Sequence, residues 1–156
     1  MTKWLLTTLV TLTLPVLVGT TVAAVAAAPR DPPEAPLSWV PSGGFPDRFP
    51  YGQCTWWAAY NRHVTWGGNA RDWFVNAAWQ GVATSEVPSI GAIAVYQPGG
   101  AYSDYGHVAI VIARGPHTYT VSEMNAPVWG RVSTREIPWP DAHVQGFIPL
   151  TQAERR

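Results

Sequence analysis

The sequence predicts an α+β fold, in which two short helices pack against an antiparallel β-sheet. Three observations support this fold class. Helix-forming residues bounded by helix start and stop signals fill the stretch from Cys54 to Gly81. From Pro88 onward, short apolar runs alternate with turn residues, as in consecutive strands. Finally, 47% of the 156 residues are hydrophobic and 13% are charged, which is typical of a compact domain and not of a disordered chain.

The two predicted helices lie close together in the sequence. The first is expected to begin at Cys54 and to run through alanine-rich sequence to about Val64. The second follows Asn69, a favoured N-cap residue, and carries Asp72 at the positive end of the helix dipole. Gly81 is a natural stop for this second helix.

Five strands are predicted after the helices. The runs are short, rich in β-branched and aromatic residues, and bounded by turn residues. Gly115 and Pro116 mark a turn between the second and third runs, so these two strands form a hairpin. The predicted strands cover residues 91–96, 107–113, 118–123, 131–137 and 145–148.

The N-terminus has the features of an export signal. Lys3 gives a positive start, and the next charged residue is Arg30. Ala24 and Ala26 fit an A-x-A cleavage pattern, which predicts a signal peptide over residues 1–26. The alternative is an uncleaved membrane anchor, because the uncharged run is long enough to span a bilayer.

A proline-rich linker is predicted over residues 27–44, because proline removes backbone donors and fixes φ in an extended chain. The folded domain is placed at residues 45–150, a length that allows one hydrophobic core. Residues 151–156 are expected to form a short tail.

Charge restricts the classes of partner. The chain has 10 Lys and Arg against 10 Asp and Glu, and the arginines are scattered. Nucleic acid binding would need a clustered basic face, and attachment to anionic lipid would need a polybasic segment. We therefore expect neither nucleic acid binding nor stable membrane association once the signal is removed.

Cys54 is the only cysteine in the chain and therefore has no intrachain disulfide partner. In a chain with an export signal, a lone thiol either pairs with another molecule or is kept free because its reactivity is used. A third interpretation is that the cysteine is a small buried hydrophobe. The start of a helix favours the second interpretation, because its free N–H groups and dipole stabilise a thiolate.

His107 is the candidate base for this thiol. If the hairpin is symmetric about Gly115, His107 faces Glu123, and directly opposed side chains have Cβ atoms about 4.5–5.5 Å apart. A slip of two residues would place Asn125 there instead. The residue that orients the imidazole is therefore Glu123 or Asn125, with Glu123 preferred.

A thiol, an imidazole and a polar group that orients the imidazole are the requirements of covalent acyl transfer. The backbone N–H of Cys54 and the side-chain amide of Gln53 are candidates for stabilising the oxyanion. Taken singly, His107 and Glu123 are explained equally well as a structural histidine and a surface carboxylate. Their joint occurrence with a lone cysteine favours catalysis.

Metal chemistry finds no support in the spacing of polar residues. Zinc sites use spaced Cys and His pairs, and calcium sites use clustered acidic residues. Asp47 stands alone before the cysteine segment. We therefore predict no metal and no other cofactor.

Five segments, taken in order, resemble the CHAP family, the cysteine, histidine-dependent amidohydrolases/peptidases. The resemblance extends from about residue 45 to 150, and the segments containing the cysteine, the histidine and the glutamate are specific only in combination. The five segments are Tyr51-Gly52-Gln53-Cys54-Thr55-Trp56, Gly68-Asn69-Ala70 with Trp73, Pro88 with Gly91-Ala92-Ile93, Gly106-His107-Val108-Ala109, and Val121-Ser122-Glu123-Met124-Asn125.

This resemblance implies a papain-like α+β fold and cleavage of amide bonds in peptidoglycan. By it, Cys54 corresponds to the nucleophile and His107 to the base. Glu123 corresponds to the third polar residue, and Asn125 to a further polar residue of the site. Some members carry an acidic calcium-binding loop before the cysteine, which this chain lacks, so calcium dependence does not carry over.

Nine tryptophans are many for a chain of this size. Some are expected to line a substrate groove, because aromatic rings stack on sugars and peptide planes. Trp56 and Trp129 are the first candidates, with Trp57 and Trp66 as further ones. The alternative is that residues such as Trp57 and Trp73 build the core between helices and sheet.

These features together predict a secreted, cell-wall-associated monomer that hydrolyses peptidoglycan. The expected bond is that of an N-acetylmuramoyl-L-alanine amidase or of a stem-peptide or cross-bridge endopeptidase. The alternative from another class is a non-catalytic peptidoglycan-binding module of the same fold. A toxin-like amidase directed at competitors would share the chemistry.

Overall fold

The computed structural model describes residues 39–155. The predicted signal peptide and residues 27–38 of the predicted linker lie outside this range. Between residues 39 and 155, no helix combines the length and apolar character needed to cross a membrane.

The predicted order of elements, helices first and then strands, is confirmed. The strands form one sheet in the order β4-β3-β2-β1-β5, and all neighbouring strands are antiparallel. The fold is therefore α+β, as predicted. The elements are α1 (Cys54–Asn61), a 3-10 turn (Ala70–Asp72), α2 (Trp73–Trp79), β1 (Ile93–Tyr96), β2 (His107–Arg114), β3 (Thr118–Met124), β4 (Val132–Pro138) and β5 (Val144–Ile148).

Helix α1 ends at Asn61, before the predicted Val64. The backbone becomes extended at Arg62, with φ −136° and ψ 144°. The buried guanidinium of Arg62 donates hydrogen bonds to the backbone carbonyls of Gly91, Ile148 and Pro149. Because these partners are distant in sequence, local helix propensity could not predict where the helix ends.

The start of the second helical segment has the predicted cap. The backbone N–H of Asn69 donates to Asp72 Oδ2 at 3.1 Å, and the Asn69 side chain accepts in return from the Asp72 backbone. The first turn is a 3-10 turn, and α2 begins at Trp73. Gly81 follows the helix with φ 75°, a conformation that suits glycine.

Two hydrophobic cores lie on opposite faces of the sheet. Because successive strand residues point to opposite faces, β1 contributes alternately to both cores and is buried throughout. The helical face is covered by α1 and α2, and its fully buried members include Ala58, Trp73, Ala77, Ile93, Val95, Val108, Ile110 and Ile148. The other face includes Ala94, Tyr96, Ala109, Val111, Tyr119, Val121 and Phe147.

Both ends of the described range are attached to the domain. Trp39 packs against the helical-face core, and its backbone N–H donates to the carbonyl oxygen of Ile112 at 3.0 Å. At the other end, the Glu154 carboxylate accepts a hydrogen bond from Arg62 Nε at 2.9 Å. Residues 151–154, which the sequence predicts to be part of a tail, therefore fold back onto the end of α1.

Candidate active site

Cys54 is the first residue of α1 and lines a cleft of about 820 Å³. The chain turns into the helix at Gly52, which has φ 91°. A Cβ atom at this position would lie 2.7 Å from the ring of Trp129, so the approach of that ring also requires glycine. Trp57 Nε1 donates to Ser122 Oγ at 3.1 Å and fixes α1 to β3. The cysteine is thereby held, 8% exposed, at one wall of the cleft.

His107 opens β2 and reaches the same cleft. Gly106 precedes it with φ 70°, and a Cβ there would lie 2.6 Å from the carbonyl oxygen of Tyr96. The imidazole Nε2 lies 3.0 Å from Glu123 Oε2. Since Nε2 is occupied by the carboxylate, Nδ1 remains for Cys54, which lies close enough to interact with the ring.

The hairpin register differs from the predicted one, although Glu123 still contacts His107. Ile110 pairs with Ser122, and a bulge follows Val111. Extending this register places His107 opposite Asn125, because the turn closes between Gly115 and Thr118 and is not centred on Gly115. Glu123 is thus a diagonal neighbour of His107, and such neighbours remain within reach of long side chains.

Arg135 on β4 and Tyr102 in the β1–β2 loop complete this cluster, and sequence reasoning missed both. Arg135 donates to both carboxylate oxygens of Glu123, at 2.9 and 3.0 Å, and to Tyr102 Oη at 2.6 Å. The Tyr102 ring stacks on the His107 ring, with centroids 5.1 Å apart and planes 6° apart. The period of two in the predicted fourth strand could have placed Arg135 on the face of Glu123, had the pairing with β3 been known.

The pKa values of Cys54 and His107 move in opposite directions. Burial opposes the thiolate, but His107 and the N–H groups of Val108 and Thr55 outweigh it, so the pKa of Cys54 is lowered. Burial alone would lower the pKa of His107, but Cys54 and Glu123 raise it to about 9. The interaction between the two groups therefore favours the charged form of each, a thiolate beside an imidazolium.

Glu123 is the anion of the site. Its side chain is 2% exposed, and burial by itself would favour the neutral acid. Hydrogen bonds from His107 and Arg135 outweigh burial and lower the pKa of the carboxyl group. The side chain of Arg135 is 41% exposed, so the positive charge of this cluster faces solvent while the negative charge is buried.

Asn125 does not orient His107 in this structure. Its side-chain Nδ2 donates to Gln53 Oε1 at 3.0 Å, and both residues line the cleft. Its backbone has φ 64°, a left-handed conformation that asparagine adopts more readily than most residues. Of the two candidates for orienting the imidazole, Glu123 is the one in contact with it.

The two tryptophans predicted first to line the groove, Trp56 and Trp129, occupy different places in the structure, and neither is part of the cleft lining. Trp56 does not line the cleft; it stacks on Tyr60 at 4.9 Å and meets Tyr51 edge-on at 4.7 Å. The reason is geometric, because a residue two positions after Cys54 lies on a different side of the helix. Trp129 is 64% exposed and lies over Gly52, just outside the lining of the cleft.

Of the further candidates, Trp66 is buried in the helical-face core and Trp57 packs against it, so neither lines the cleft. The cleft is walled largely by uncharged residues. Apart from Cys54, His107, Glu123 and Arg135, its lining consists of Phe49, Pro50, Gln53, Thr55, Gly68, Asn69, Ala70, Ala101, Tyr102, Ser103, Tyr105, Gly106, Asn125, Ala126 and Pro127. In the described part of the chain, no group of three or more His, Cys, Asp or Glu side chains is arranged to hold a metal ion.

Fold and site together define a class of protein, namely an α+β domain with a cysteine at a helix start facing a carboxylate-bound histidine on the sheet. The model of the CHAP domain family matches residues 44–125, so this chain belongs to the CHAP family.

Two similar proteins come from Staphylococcus aureus. A probable autolysin, SsaALP, of strain NCTC 8325 / PS 47 is 37% identical over 106 residues, which cover 62% of this chain and 38% of that protein. The crystal structure of an N-acetylmuramoyl-L-alanine amidase is similar with a TM-score of 0.51 and 31% identity, covering 62% of this chain and 31% of the amidase chain. The match to this chain therefore covers less than two fifths of the full length of either relative.

Proposed function

We propose that this protein hydrolyses amide bonds in peptidoglycan by a cysteine-dependent acyl transfer. The observation that carries the proposal is the placement of Cys54 and His107 in one cleft, with a lowered pKa for the thiol and a raised pKa for the imidazole. The similarity to an autolysin and to an N-acetylmuramoyl-L-alanine amidase supports peptidoglycan as the substrate.

The first half-reaction forms an acyl-enzyme. The Cys54 thiolate attacks the carbonyl carbon of the amide, and the carbonyl π electrons move to oxygen. As the tetrahedral intermediate collapses, the C–N bond breaks and His107 donates its proton to the departing amine. The products of this step are a free amine and a thioester on Cys54.

The second half-reaction regenerates the thiolate. His107, now neutral, takes a proton from water as the water oxygen attacks the thioester carbon. The C–S bond then breaks, which releases a carboxylic acid and returns the thiolate–imidazolium pair. Glu123 contacts Nε2 at 3.0 Å, and we assign it the role of orienting the imidazole through both steps.

Gln53 and the helix start are assigned to the oxyanion. The N–H of Cys54 belongs to the first turn of α1, where N–H groups have no acceptor within the helix. The side-chain oxygen of Gln53 accepts a hydrogen bond from Asn125. The amide N–H groups of Gln53 therefore remain available as donors. Asn125 thus holds Gln53 in place, and the pair would stabilise charge that develops beside Cys54.

The largely uncharged walls of the cleft fit an amide-rich polymer. Amide side chains and aromatic rings such as Tyr102 and Tyr105 line it, and Trp129 lies beside its edge over Gly52. Such groups hydrogen-bond peptide units and stack on flat or apolar surfaces. We place Gln53 and Trp129 among the residues that contact substrate.

The test is the release of amines and the loss of turbidity from purified peptidoglycan under reducing conditions. Wild type is expected to release amines, and Cys54→Ala and His107→Ala are expected to be inactive. Mass spectrometry of the new termini would identify the bond, either muramoyl–alanine or within the peptides. Binding to several wall types without release of amines would contradict hydrolysis and favour the non-catalytic binding module.

We also propose export of the protein, cleavage after Ala26 and a monomeric mature form. The substrate lies outside the cytoplasmic membrane, and residues 1–26 have the sequence of a secretory signal. N-terminal sequencing of protein recovered from the culture medium should begin at Ala27. Recovery only from the membrane fraction, with Met1 retained, would support the uncleaved anchor.

A further inference from the structure

We infer that Tyr102 and Arg135 are positioning residues for His107, and that they hold its ring in the orientation that serves Cys54. This inference rests on the proposed role of the Cys54–His107 pair. Neither residue carries out a bond-making step: Tyr102 contacts the imidazole directly, and Arg135 acts through Glu123 and Tyr102.

His107 is held on its ring edge by Glu123 and on its ring face by Tyr102. The carboxylate contact is 3.0 Å and fixes Nε2. The Tyr102 ring lies parallel to the imidazole at 5.1 Å between centroids, which limits rotation of the ring out of its plane. Together these two contacts restrict both side-chain torsions of the histidine.

Arg135 joins the two restraints. Its guanidinium donates to both oxygens of Glu123 and, from Nη2, to the hydroxyl of Tyr102 at 2.6 Å. The guanidinium carbon also lies 5.7 Å from the centroid of the Tyr102 ring. Because an arginine fork can serve a carboxylate and a neighbouring acceptor simultaneously, one side chain sets the positions of both groups that hold the imidazole.

This arrangement matters because Tyr102 lies in the loop between β1 and β2. The loop contains three glycines, and its backbone is held by the mutual hydrogen bonds between Gly99 and Tyr102 and by bonds to other segments, in which Gln97 N–H donates to His143 O and Arg71 N–H donates to Tyr105 O. These bonds fix the backbone of the loop, whereas the Arg135 contact acts on the Tyr102 side chain and keeps its ring over His107. Arg135 thereby ties a wall of the cleft to the imidazole.

The consequence is measurable at the thiol. If the imidazole swings away from Cys54, the thiolate loses its partner while the thiol stays buried, and the apparent pKa of Cys54 must rise. Since Cys54 is the sole cysteine, alkylation of the full chain by iodoacetamide reports on this group alone. The rate of alkylation as a function of pH therefore measures the positioning without any need for peptidoglycan.

Tyr102→Ala removes the stacked ring, and Tyr102→Leu fills its volume without a flat ring. Both are expected to raise the apparent pKa of Cys54 by about one pH unit, which lowers the thiolate fraction about tenfold at pH values below it. Tyr102→Phe keeps the ring and loses the Arg135 bond, so its shift should be smaller. Tyr60→Phe, at a tyrosine outside the cleft, is the matched control.

Arg135→Lys separates positioning from charge. Lysine keeps the positive charge but cannot hold the carboxylate and the tyrosine with one planar fork. We expect it to shift the pH profile in the direction of Tyr102→Ala, and we expect Arg114→Lys, at the far end of β2, to leave the profile unchanged. An Arg135→Lys protein with the wild-type profile would show that charge alone is needed and would overturn the inference.

Two other results would also overturn the inference. One is an unshifted profile for both Tyr102→Ala and Tyr102→Leu. The other is a change in rate that follows the unfolded fraction, measured by circular dichroism, with no shift in the pH profile of the folded protein. Failure of the proposed hydrolysis is distinguishable, because inert wild-type protein would still show the pH-dependent alkylation. Where hydrolysis occurs, the Tyr102 variants should lower kcat more than they raise KM.

Discussion

Two Arg–Glu ion pairs lie within residues 39–155, and they differ in the other hydrogen bonds that each carboxylate accepts. The first, here called the clamp cluster, is Arg62 with Glu154, whose side chains are 2% and 6% exposed. The second, the cleft cluster, comprises Cys54, His107, Glu123, Arg135 and Tyr102. Both pairs use two guanidinium nitrogens on two carboxylate oxygens.

The difference lies in the remaining hydrogen bonds. In the clamp cluster, the Glu154 oxygens also accept from the backbone of His63 and from the backbone and hydroxyl of Thr151. Arg62 also donates hydrogen bonds to backbone carbonyls. In the cleft cluster, the remaining partner of Glu123 is the titratable ring of His107, which shares the cleft with Cys54, the proposed nucleophile.

The same type of ion pair therefore serves a different purpose in each cluster. Bound to fixed backbone groups, it fastens the chain after β5 to the end of α1. Bound to an imidazole at the wall of a cleft, it sets the charge and orientation of that imidazole. This comparison predicts that changes in the clamp cluster act on stability and changes in the cleft cluster act mainly on turnover.

Arg62→Ala should have the largest effect on stability. It leaves Glu154 buried without its cation and removes donors from three carbonyls, which should lower the free energy of unfolding by about 3–5 kcal/mol. Urea denaturation followed by tryptophan fluorescence would measure this loss, with the exposed Arg114→Ala as control. The activity of the folded fraction should stay near wild type, and a loss below about 1 kcal/mol would contradict the clamp.

Glu154→Gln should reduce the acid sensitivity of the fold. The pKa of Glu154 falls from 4.5 to about 2, because hydrogen bonds from Arg62, Thr151 and His63 outweigh its burial. A carboxyl group with a lowered pKa stabilises the folded state fully above its unfolded pKa, and this stabilisation is lost as pH falls toward the folded value.

The stabilisation by Glu154 should therefore be complete above about pH 4.5 and decline toward pH 2, a change of about 3 kcal/mol. Thermal denaturation of wild type and Glu154→Gln across pH 2–6 would measure it. The variant should be less stable than wild type at pH 6, and its stability should depend less on pH below pH 4.5. Parallel curves for the two proteins would contradict this account of the ion pair.

Glu123→Gln should reduce turnover more than stability. The neutral amide no longer favours the imidazolium, so kcat should fall by about 10²-fold. The pKa of His107, about 9 in the wild type, should fall, and the alkaline decline of kcat should move to lower pH with it.

Loss of the charged hydrogen bonds at Glu123 should cost about 1.5–3 kcal/mol of stability, less than Arg62→Ala, because Arg135 can be solvated. The pH profile of kcat and a urea titration on the same preparation test both statements. An unmoved alkaline limb would show that Glu123 does not govern the protonation of His107.

Asn125→Gly should have the smallest effect. Glycine keeps the left-handed backbone but releases Gln53, so kcat should fall by about tenfold, less than the 10²–10³ lost with a direct oxyanion donor. Asn125→Ala should add a loss of about 1–2 kcal/mol in stability, because alanine is strained at φ 64°. Equal kcat values for Asn125→Gly and wild type would remove Gln53 from the proposed oxyanion site.

Much of the fold and part of the site could be predicted from local sequence. Alternation of apolar residues and Gly/Pro boundaries located all five strands, and the Asn69–Asp72 pattern located the start of the second helical segment. Cys54, His107 and Glu123 stood out because a lone thiol, a histidine at a strand start and a carboxylate on the returning strand belong to a known kind of chemistry.

The remainder depended on contacts between distant segments. The hairpin register was wrong because the turn geometry and the bulge after Val111 are not encoded in the alternation. Trp56 was misplaced although the predicted helix start at Cys54 is correct, because a residue two positions after Cys54 lies on a different side of the helix. Arg135, Tyr102 and the Arg62–Glu154 pair were missed because each joins residues whose proximity is set by strand pairing or by the fold-back after β5.

The pairing of β4 has a consequence for exchanging loops between members of this family. β3 and β4 pair without a bulge from Thr118–Pro138 to Met124–Val132. A shift of one residue would turn Arg135 to the opposite face of the sheet. A transplanted connector between Met124 and Val132 can therefore change in length, provided that it keeps Asn125 and Trp129 and that the chain rejoins the sheet in the same phase. Phase, more than loop sequence, should decide which chimaeras retain the cleft cluster.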